Sequence, residues 1–285
     1  MAQKGRFRIH DGSKFEVVNL ETIGEQVKMD DNTTAQDLKD DFNEHLADYA
    51  STFPNNAGAH NLIFRGKHLG SSPTLEQYQA IADGTFKDLY LGDYWSSGGV
   101  DYIIAAFNYY LNTGNTALTD NHLTLITRTP MYTHVMNDTN TTDGGYTGSK
   151  MYSEGLDQAK NIIRGVFGTH LVRHRQYLSN AVTSGEASAA AWVDSEVELM
   201  NEMMVYGSVI NGVSQSGQTN RNVGVRNTQL PLFRARPNII ESREHIWLSD
   251  VVSASRFALV TGNGNASDSS YASHARGVLP AFSIS

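Results

Sequence analysis

The end of the chain has the apolar pattern of a buried strand, with Leu279, Ala281 and Ser283 on its second face. Every second residue from Val278 to Ile284 is apolar, which predicts a β-strand packed into a core. Because proline has no N–H to donate, we expect this strand at a sheet edge or with a bulge at Pro280. Residues 247–260 form an apolar segment, and residues 261–276 form a polar loop of Gly, Asn, Ser, Asp, Tyr, His and Arg. We therefore expect a loop held at both ends and exposed in its middle.

The first 50 residues predict a small separate module. Residues 7–20 alternate loosely around Asp11-Gly12, a turn signal for a hairpin. A helix to about residue 50 follows, with an N-cap at Thr33 or Thr34. Its narrow apolar stripe needs a partner, either its own hairpin or other copies of itself. The stripe consists of Leu38, Phe42, Leu46 and Tyr49.

The rest of the chain predicts a linker and one larger domain. Residues 51–85 are interpreted as a linker with a short helix, capped by Ser72 and with Pro73 at its first position. Residues 86–285 are interpreted as one domain of mixed strands, two or three helices and long loops. A helix is predicted at 151–167, and a capping box at Ser195 predicts a short Met-rich helix. The other predicted strands are 86–95, 100–111 and 123–127.

Composition excludes several classes of protein. The chain has 285 residues and 40% hydrophobic residues, without a stretch of about 18 apolar residues that predicts a membrane span. Its first residues lack the apolar core of a secretory signal, so we expect synthesis in a cytosol and no membrane insertion. The lack of cysteine excludes disulfides and thiol catalysis. A net charge of -8 argues against nucleic-acid binding.

Candidate catalytic and metal-binding groups are weak. His170 and His174 are four residues apart but lack the Glu of the zincin pattern, which favours solvated or hydrogen-bonded histidines. A glycosidase needs two carboxylates across a cleft, whereas an acidic cluster on one short helix favours a solvated face. No nucleophile elbow, phosphate loop or dinucleotide fingerprint is present. We therefore predict no catalytic residue, no metal and no cofactor. The acidic cluster is Asp194, Glu196, Glu198 and Glu202.

Several motifs together carry a resemblance to a known family. The pattern Trp247-Leu-x-Asp-Val-Val-Ser-Ala, the polar loop after it, and Gly277-Val-x-Pro-Ala-Phe resemble the C-terminal pattern of C-type-lectin-like domains. Such domains occur in phage structural proteins and in variable proteins diversified by retroelements, such as the phage major tropism determinant. The resemblance covers about Phe86 to Ile284. It implies an α+β fold, with a C-type-lectin-like domain preceded by the hairpin-plus-helix module as an attachment segment.

The chain also departs from the family pattern. Ser249 and Leu279 stand where the pattern has Arg, and Ser283 stands where it has Cys. The calcium- and sugar-binding motifs of animal lectins are missing, so the resemblance does not imply calcium-dependent sugar binding. Formylglycine-generating enzymes share this fold but use cysteines for their chemistry.

The resemblance and the missing chemistry predict a binding function. We expect a bacteriophage virion structural protein, a homo-oligomer with a trimer favoured, whose N-terminal module contacts other virion proteins. Its C-type-lectin-like domain is expected to bind a host-surface glycan or protein, as in a receptor-binding tail or fibre protein. The alternatives are a capsid decoration or head-fibre protein, and a glycan-degrading virion enzyme. The predicted ligand contacts are Trp247, Arg256, Asn263, Asn265, Asp268, Tyr271, His274 and Arg276.

The composition of the polar loop raises one further hypothesis. Retroelement diversification mutates adenines, which changes Asn codons to codons for Ser, Asp, Tyr, His and Thr, among others. Eight polar residues of the loop fit that pattern, and ordinary loop composition explains them equally well. They are Asn263, Asn265, Asp268, Ser270, Tyr271, Ser273, His274 and Arg276. A template repeat differing at adenines in the source genome would establish diversification.

Overall fold

The chain has a mixed α+β architecture, in which mostly antiparallel strands are accompanied by few helices. A computed structural model describes residues 6–10, 15–19, 34, 36–37, 39–41, 55–114, 116–183, 186–212 and 228–285. The chain divides into two compact units, Met1–Pro54 and Asn55–Ser285. Among the helices described, none has the length and apolar character needed to cross a membrane.

The first unit contains the predicted hairpin. Strands β1 (Arg6–His10) and β2 (Phe15–Asn19) pair antiparallel, with Phe7 opposite Val18. The predicted N-cap at Thr34 is also present: its hydroxyl accepts from the Asp37 N–H at 3.1 Å, and Asp37 Oδ2 accepts from the Thr34 N–H at 2.7 Å. The apolar stripe of this helix lies outside the described residues.

The described residues of the second unit form two larger sheets, one hairpin and short helices. The six-stranded sheet has the order β10-β15-β5-β4-β3, with β7 also paired to β15, and the five-stranded sheet has the order β13-β12-β11-β14-β6. Strands β8 and β9 form a separate hairpin. The helices are α1 (Ala57–His60), α2 (Leu75–Ala82), α3 (Asp157–Phe167), α4 (Glu202–Tyr206) and α5 (Pro231–Ala235). The strands are β3 (Tyr94–Ser97), β4 (Val100–Phe107), β5 (Leu123–Thr127), β6 (Tyr132–His134), β7 (Leu171–Val172), β8 (His174–Thr183), β9 (Glu186–Ser195), β10 (Val197–Leu199), β11 (Ile246–Ser253), β12 (Arg256–Val260), β13 (Ala266–Tyr271), β14 (Arg276–Val278) and β15 (Pro280–Ile284).

The six-stranded sheet is buried on both faces. On β4, Tyr102 and Ile104 pack in one core cluster with Ile163 of α3, while Ile103 and Ala105 belong to a second cluster with strands β11 and β12. Successive side chains of a strand point to opposite faces, so this apolar strand joins the two clusters. Each fully buried Ile or Phe contributes about 1.5–3 kcal/mol relative to exposure.

The predicted C-terminal strand is confirmed, but its position is not at an edge. Strand β15 lies between β10 and β5, with Phe282 opposite Val197 on one side and Leu125 on the other. Pro280 is the first residue of the strand, a place where its missing N–H disturbs few ladder bonds. The expectation of an edge strand or a bulge at Pro280 was therefore wrong.

Most of the strand predicted at 86–95 is instead a series of turns, and only Tyr94 and Trp95 belong to a strand, β3. Phe86 and Asp88 have positive φ angles of 50° and 56°, a left-handed conformation that interrupts a strand. The carboxylate of Asp93, which is fully buried, accepts from the backbone N–H groups of Lys67 at 2.8 Å and Tyr90 at 2.9 Å. The backbone curves around this carboxylate because its N–H groups donate to the carboxylate oxygens.

The segment interpreted as a linker packs into the second unit. Ile81 on α2 is completely buried in the first core cluster. The helix begins after Thr74, whose hydroxyl accepts from the Gln77 N–H while the Gln77 side chain accepts from the Thr74 N–H. Residues 55–85 are thus part of the larger unit, and Thr74 rather than Ser72 is the cap.

Two of the predicted helices differ from the structure. The predicted helix at 151–167 is one π-helical turn, Met151–Gly155, followed by α3. The capping box predicted at Ser195 does not form: Ser195 ends β9, and β10 follows. The short Met-rich helix begins later, where the Asn201 side chain accepts from the Met204 N–H at 2.8 Å.

Candidate ligand-binding surface

Most of the predicted polar loop belongs to a β-hairpin. Strand β13 pairs antiparallel with β12, with Tyr271 opposite Arg256, so residues 266–271 of the predicted loop form a strand instead. The connecting turn is closed by the Gly264 N–H donating to the Thr261 carbonyl and the Thr261 N–H donating to the Asn265 carbonyl, both at 2.9 Å. The hairpin therefore presents its side chains from a hydrogen-bonded frame.

Four of the predicted contacts gather at the open end of this hairpin. The Arg256 guanidinium lies over the Tyr271 ring at 4.2 Å from its centroid, and the His274 ring meets the Tyr271 ring edge to face at 5.5 Å. Tyr271 is 38% exposed, which leaves ring surface for a ligand. We name Arg256, Ser270, Tyr271, His274 and Arg276 the hairpin face.

Hydrogen bonds fix the polar groups of the hairpin face. The Arg276 Nε–H donates to Ser270 Oγ at 3.1 Å, and Ser270 Oγ lies 3.3 Å from His274 Nδ1. Because Ser270 Oγ accepts from the arginine, its own hydroxyl proton is available to His274 Nδ1. A neutral His274 that accepts a hydrogen bond from this proton carries its own proton on Nε2.

A neighbouring loop supports the hairpin face. The N–H groups of Met136 and Asn137 both donate to the Ala272 carbonyl at 2.9 Å. The Ser273 hydroxyl donates to Asn140 Oδ1 at 2.6 Å. Ala272 is completely buried, so the residue between Tyr271 and Ser273 is held in the core while its neighbours reach the surface.

The other predicted contacts lie elsewhere. Trp247 is completely buried, and its Nε1–H donates to the His134 carbonyl at 2.9 Å, so its assignment as a surface contact is corrected. Asn263 and Asn265 are exposed in the β12–β13 turn, roughly 20 Å from Tyr271 at about 3.4 Å per strand residue. Asp268 is placed in β13, but its side chain is outside the described part.

The turn that holds Asn263 borders a polar cleft. The cleft has a volume of about 570 Å³, between the segment 238–245 and the turn. The Arg243 N–H donates to the Gly262 carbonyl at 2.9 Å, and a Cβ on Gly262 would come within 2.8 Å of the Arg243 backbone. Only glycine permits this close approach without a shift of the backbone. The lining residues are Asn238, Glu241, Arg243, His245, Gly262 and Asn263.

A buried polar network was not found from the sequence. Glu198 Oε1 accepts from Tyr110 Oη–H at 2.8 Å and from the side chain of Gln176, and it lies 2.9 Å from His174 Nε2. All four residues are at most 4% exposed. Burial, and then the charge of Glu198, raises the pKa of Tyr110 well above its usual value. The network joins β8 and β10 to the segment after β4.

Two further carboxylates lie close together beside the segment 208–212. The buried Glu202 carboxylate accepts from the N–H groups of Ile210 at 2.7 Å and Gly212 at 2.9 Å. Asp250 Oδ2 accepts from the Glu202 N–H at 2.7 Å. Burial, and then the charge of Glu202, raises the pKa of Asp250 to about 7. Because backbone N–H groups donate to the Glu202 oxygens, this pair of carboxylates holds the segment 208–212 in place.

The acidic cluster interpreted as one solvated helix face is divided among different partners. Glu198 and Glu202 are completely buried, whereas Asp194 and Glu196 form ion pairs with Arg175 and with Arg164 and Arg173. The expected solvated helix face was therefore wrong.

His170 and His174 have separate partners. His170 stacks on Tyr78 at 3.5 Å, whereas His174 stacks on Tyr110 at 3.8 Å. Within the described ranges, no three His, Asp or Glu side chains gather in a group that could hold a metal ion.

Comparisons with protein-family models, with curated proteins and with solved structures found no match for this chain.

Proposed function

We propose that this chain is a bacteriophage virion structural protein that binds a host-surface glycan or protein through the hairpin face. The observation that carries the proposal is the cation, aromatic ring and imidazole grouped at Arg256, Tyr271 and His274. Such a group offers stacking area together with hydrogen bonds, the combination that binding loops use. In this proposal the second unit is a C-type-lectin-like domain, and the first unit attaches the protein to the particle and to other copies.

The experiment is adsorption of the labelled, purified full chain to intact cells of the bacterium that carries or hosts the gene. Tyr271→Ala combined with His274→Ala should weaken adsorption about tenfold or more, the scale of an aromatic hot spot. Binding should resist EDTA, because no metal is part of the proposed site. Far-UV circular dichroism should show that the double variant stays folded, since both residues are exposed.

The matched control is His68→Ala. His68 is also exposed, and its ring lies 5.1 Å from the ring of Tyr94, so it repeats the histidine–tyrosine contact away from the hairpin. Adsorption that is unchanged in the double variant would reject the hairpin face. Absence of any adsorption by the wild-type protein would favour the capsid decoration alternative. Point variants are required because a deletion of 262–276 would remove β13 and the buried Ala272.

A further inference from the structure

The polar cleft beside the β12–β13 turn is a second candidate site, distinct from the hairpin face. We propose that this cleft binds an acidic sugar of the uronic acid type, a pyranose ring that carries several hydroxyls and one carboxylate. This inference goes beyond the proposed function, because neither its argument nor its test depends on a virion or on a host cell.

The first argument is the unneutralised cation. Among the described residues, neither an ion pair nor a hydrogen bond engages the Arg243 guanidinium, and Glu241, two residues away, lies beyond ion-pair distance of it. A guanidinium with a free planar edge binds a carboxylate through two parallel hydrogen bonds. The cleft thus offers a place for one negative charge, while a polyanion would need more than one arginine.

The second argument is the chemistry of the remaining lining. Asn238 and Asn263 each offer a donor and an acceptor, Glu241 offers acceptors, and His245 offers one of each when neutral. These side chains are exposed, and no hydrogen bond within the described part of the chain engages them. Alternating donors and acceptors suit the hydroxyls of a sugar better than an apolar ligand. The volume of about 570 Å³ lies within the usual range for small-ligand clefts.

The third argument is that the walls of the cleft are fixed before any ligand binds. Besides the Arg243–Gly262 hydrogen bond, the Tyr206 hydroxyl donates to the Gly264 carbonyl at 3.1 Å. A Cβ on Gly264 would lie 2.8 Å from Ile240, so the turn packs directly on the opposite wall. A preformed site does not spend binding energy on ordering its loops.

The test is isothermal titration of the full chain with glucuronate, glucose and acetate. Glucuronate should bind about tenfold or more tightly than either control, because only it combines the charge with the hydroxyls. Arg243→Asn should remove that preference. Asparagine is the suitable replacement, because Arg243 has a φ of 62°, a left-handed conformation that asparagine tolerates.

Two comparisons decide the outcome. Arg276→Gln, on the hairpin face, should leave glucuronate binding unchanged, so loss of cell adsorption and loss of sugar binding report on separate sites. If Arg243→Asn fails to fold, Asn238→Ala and Asn263→Ala carry the test, and each should weaken glucuronate binding, because each removes a hydrogen-bonding side chain from the lining. The proposal is overturned if glucuronate binds no better than glucose or acetate, or if the folded cleft variants bind it as the wild type does.

Discussion

At the scale of single residues, the stability of the protein depends strongly on the buried carboxylate of Glu198. Its carboxylate lies in a pocket without solvent exposure and is surrounded by Tyr110, His174 and Gln176. Its second oxygen, Oε2, and His174 Nδ1 have no hydrogen-bond partner among the described residues. A buried polar network of this kind contributes little net stability while intact, yet removing one member leaves the others without a hydrogen-bond partner.

We predict that Glu198→Ala destabilises the protein by about 3–5 kcal/mol, because the donors of Tyr110, His174 and Gln176 lose their shared acceptor. Urea unfolding measures the change in the free energy of unfolding. The control is Glu154→Ala at an exposed position, which should stay within about 0.5 kcal/mol of the wild type. Equal decreases in the free energy of unfolding of the two variants would show that the network does not contribute to stability.

At the scale of elements, α4 and β11 are coupled through two carboxylates. Glu202, the first residue of α4, holds the backbone of 210–212, and Asp250 on β11 holds the Glu202 N–H. The folded protein binds the Asp250 proton more tightly than the unfolded chain does, since its pKa is raised from 3.8 to about 7. The stabilisation from this group is therefore fully present below pH 3.8 and is lost as the pH rises through about 7.

We predict that Asp250→Asn removes a loss of stability that the wild type shows between about pH 4 and about pH 7. The neutral amide keeps an oxygen to accept from the Glu202 N–H and carries no charge beside Glu202. Urea midpoints of both proteins across this interval test the prediction. Asp143→Asn, at an exposed position, should follow the wild-type curve. Parallel curves for the wild type and Asp250→Asn would contradict the coupling.

At the scale of the whole molecule, the chain has two compact units, and the larger one contains the three buried core clusters of the described residues. Because all three clusters consist of residues from the larger unit, we expect residues 55–285 to fold without the first unit. The apolar stripe of the first unit, in contrast, needs a partner that covers it.

We predict that the full chain is a trimer and that residues 55–285 alone are monomeric and folded. Size-exclusion chromatography with light scattering gives both masses. Within the full chain, Leu38→Asp should dissociate the oligomer by placing a charge in the apolar stripe. Asp40→Asn, at an exposed position, should leave the mass unchanged. An oligomer that persists in residues 55–285 would place the interface in the second unit.

The sequence predicted those features that depend on local patterns. The hairpin around Asp11-Gly12, the cap at Thr34 and the period-two strand of Phe282 follow from turn chemistry, capping and alternation. The position of β15 inside its sheet did not follow, because strand order depends on contacts far apart in sequence. The hydrogen-bond partners of Glu198 did not follow either, because its acidic neighbours in the sequence suggested a solvated helix.

The candidate surface was predicted less completely than the fold. Tyr271 and His274 were identified from loop composition, and they lie together at the surface. Trp247 was misplaced, because a tryptophan before a polar loop has the same pattern whether its ring is buried or exposed. The cleft at Arg243 was missed, since its two walls come from separate segments that only the folded chain brings together.

The interior position of β15 also governs the order of events during synthesis. Residues 280–284 follow all the other strands of their sheet in the sequence, yet they fill the gap between β10 and β5. Until these residues emerge from the ribosome, both neighbouring strands present open edges to which other chains can add. The six-stranded sheet can therefore close only after residues 280–284 have emerged from the ribosome, by long-range pairing that is slow and exposed to aggregation. Nascent or truncated chains of this protein would depend on chaperones that shield those two edges.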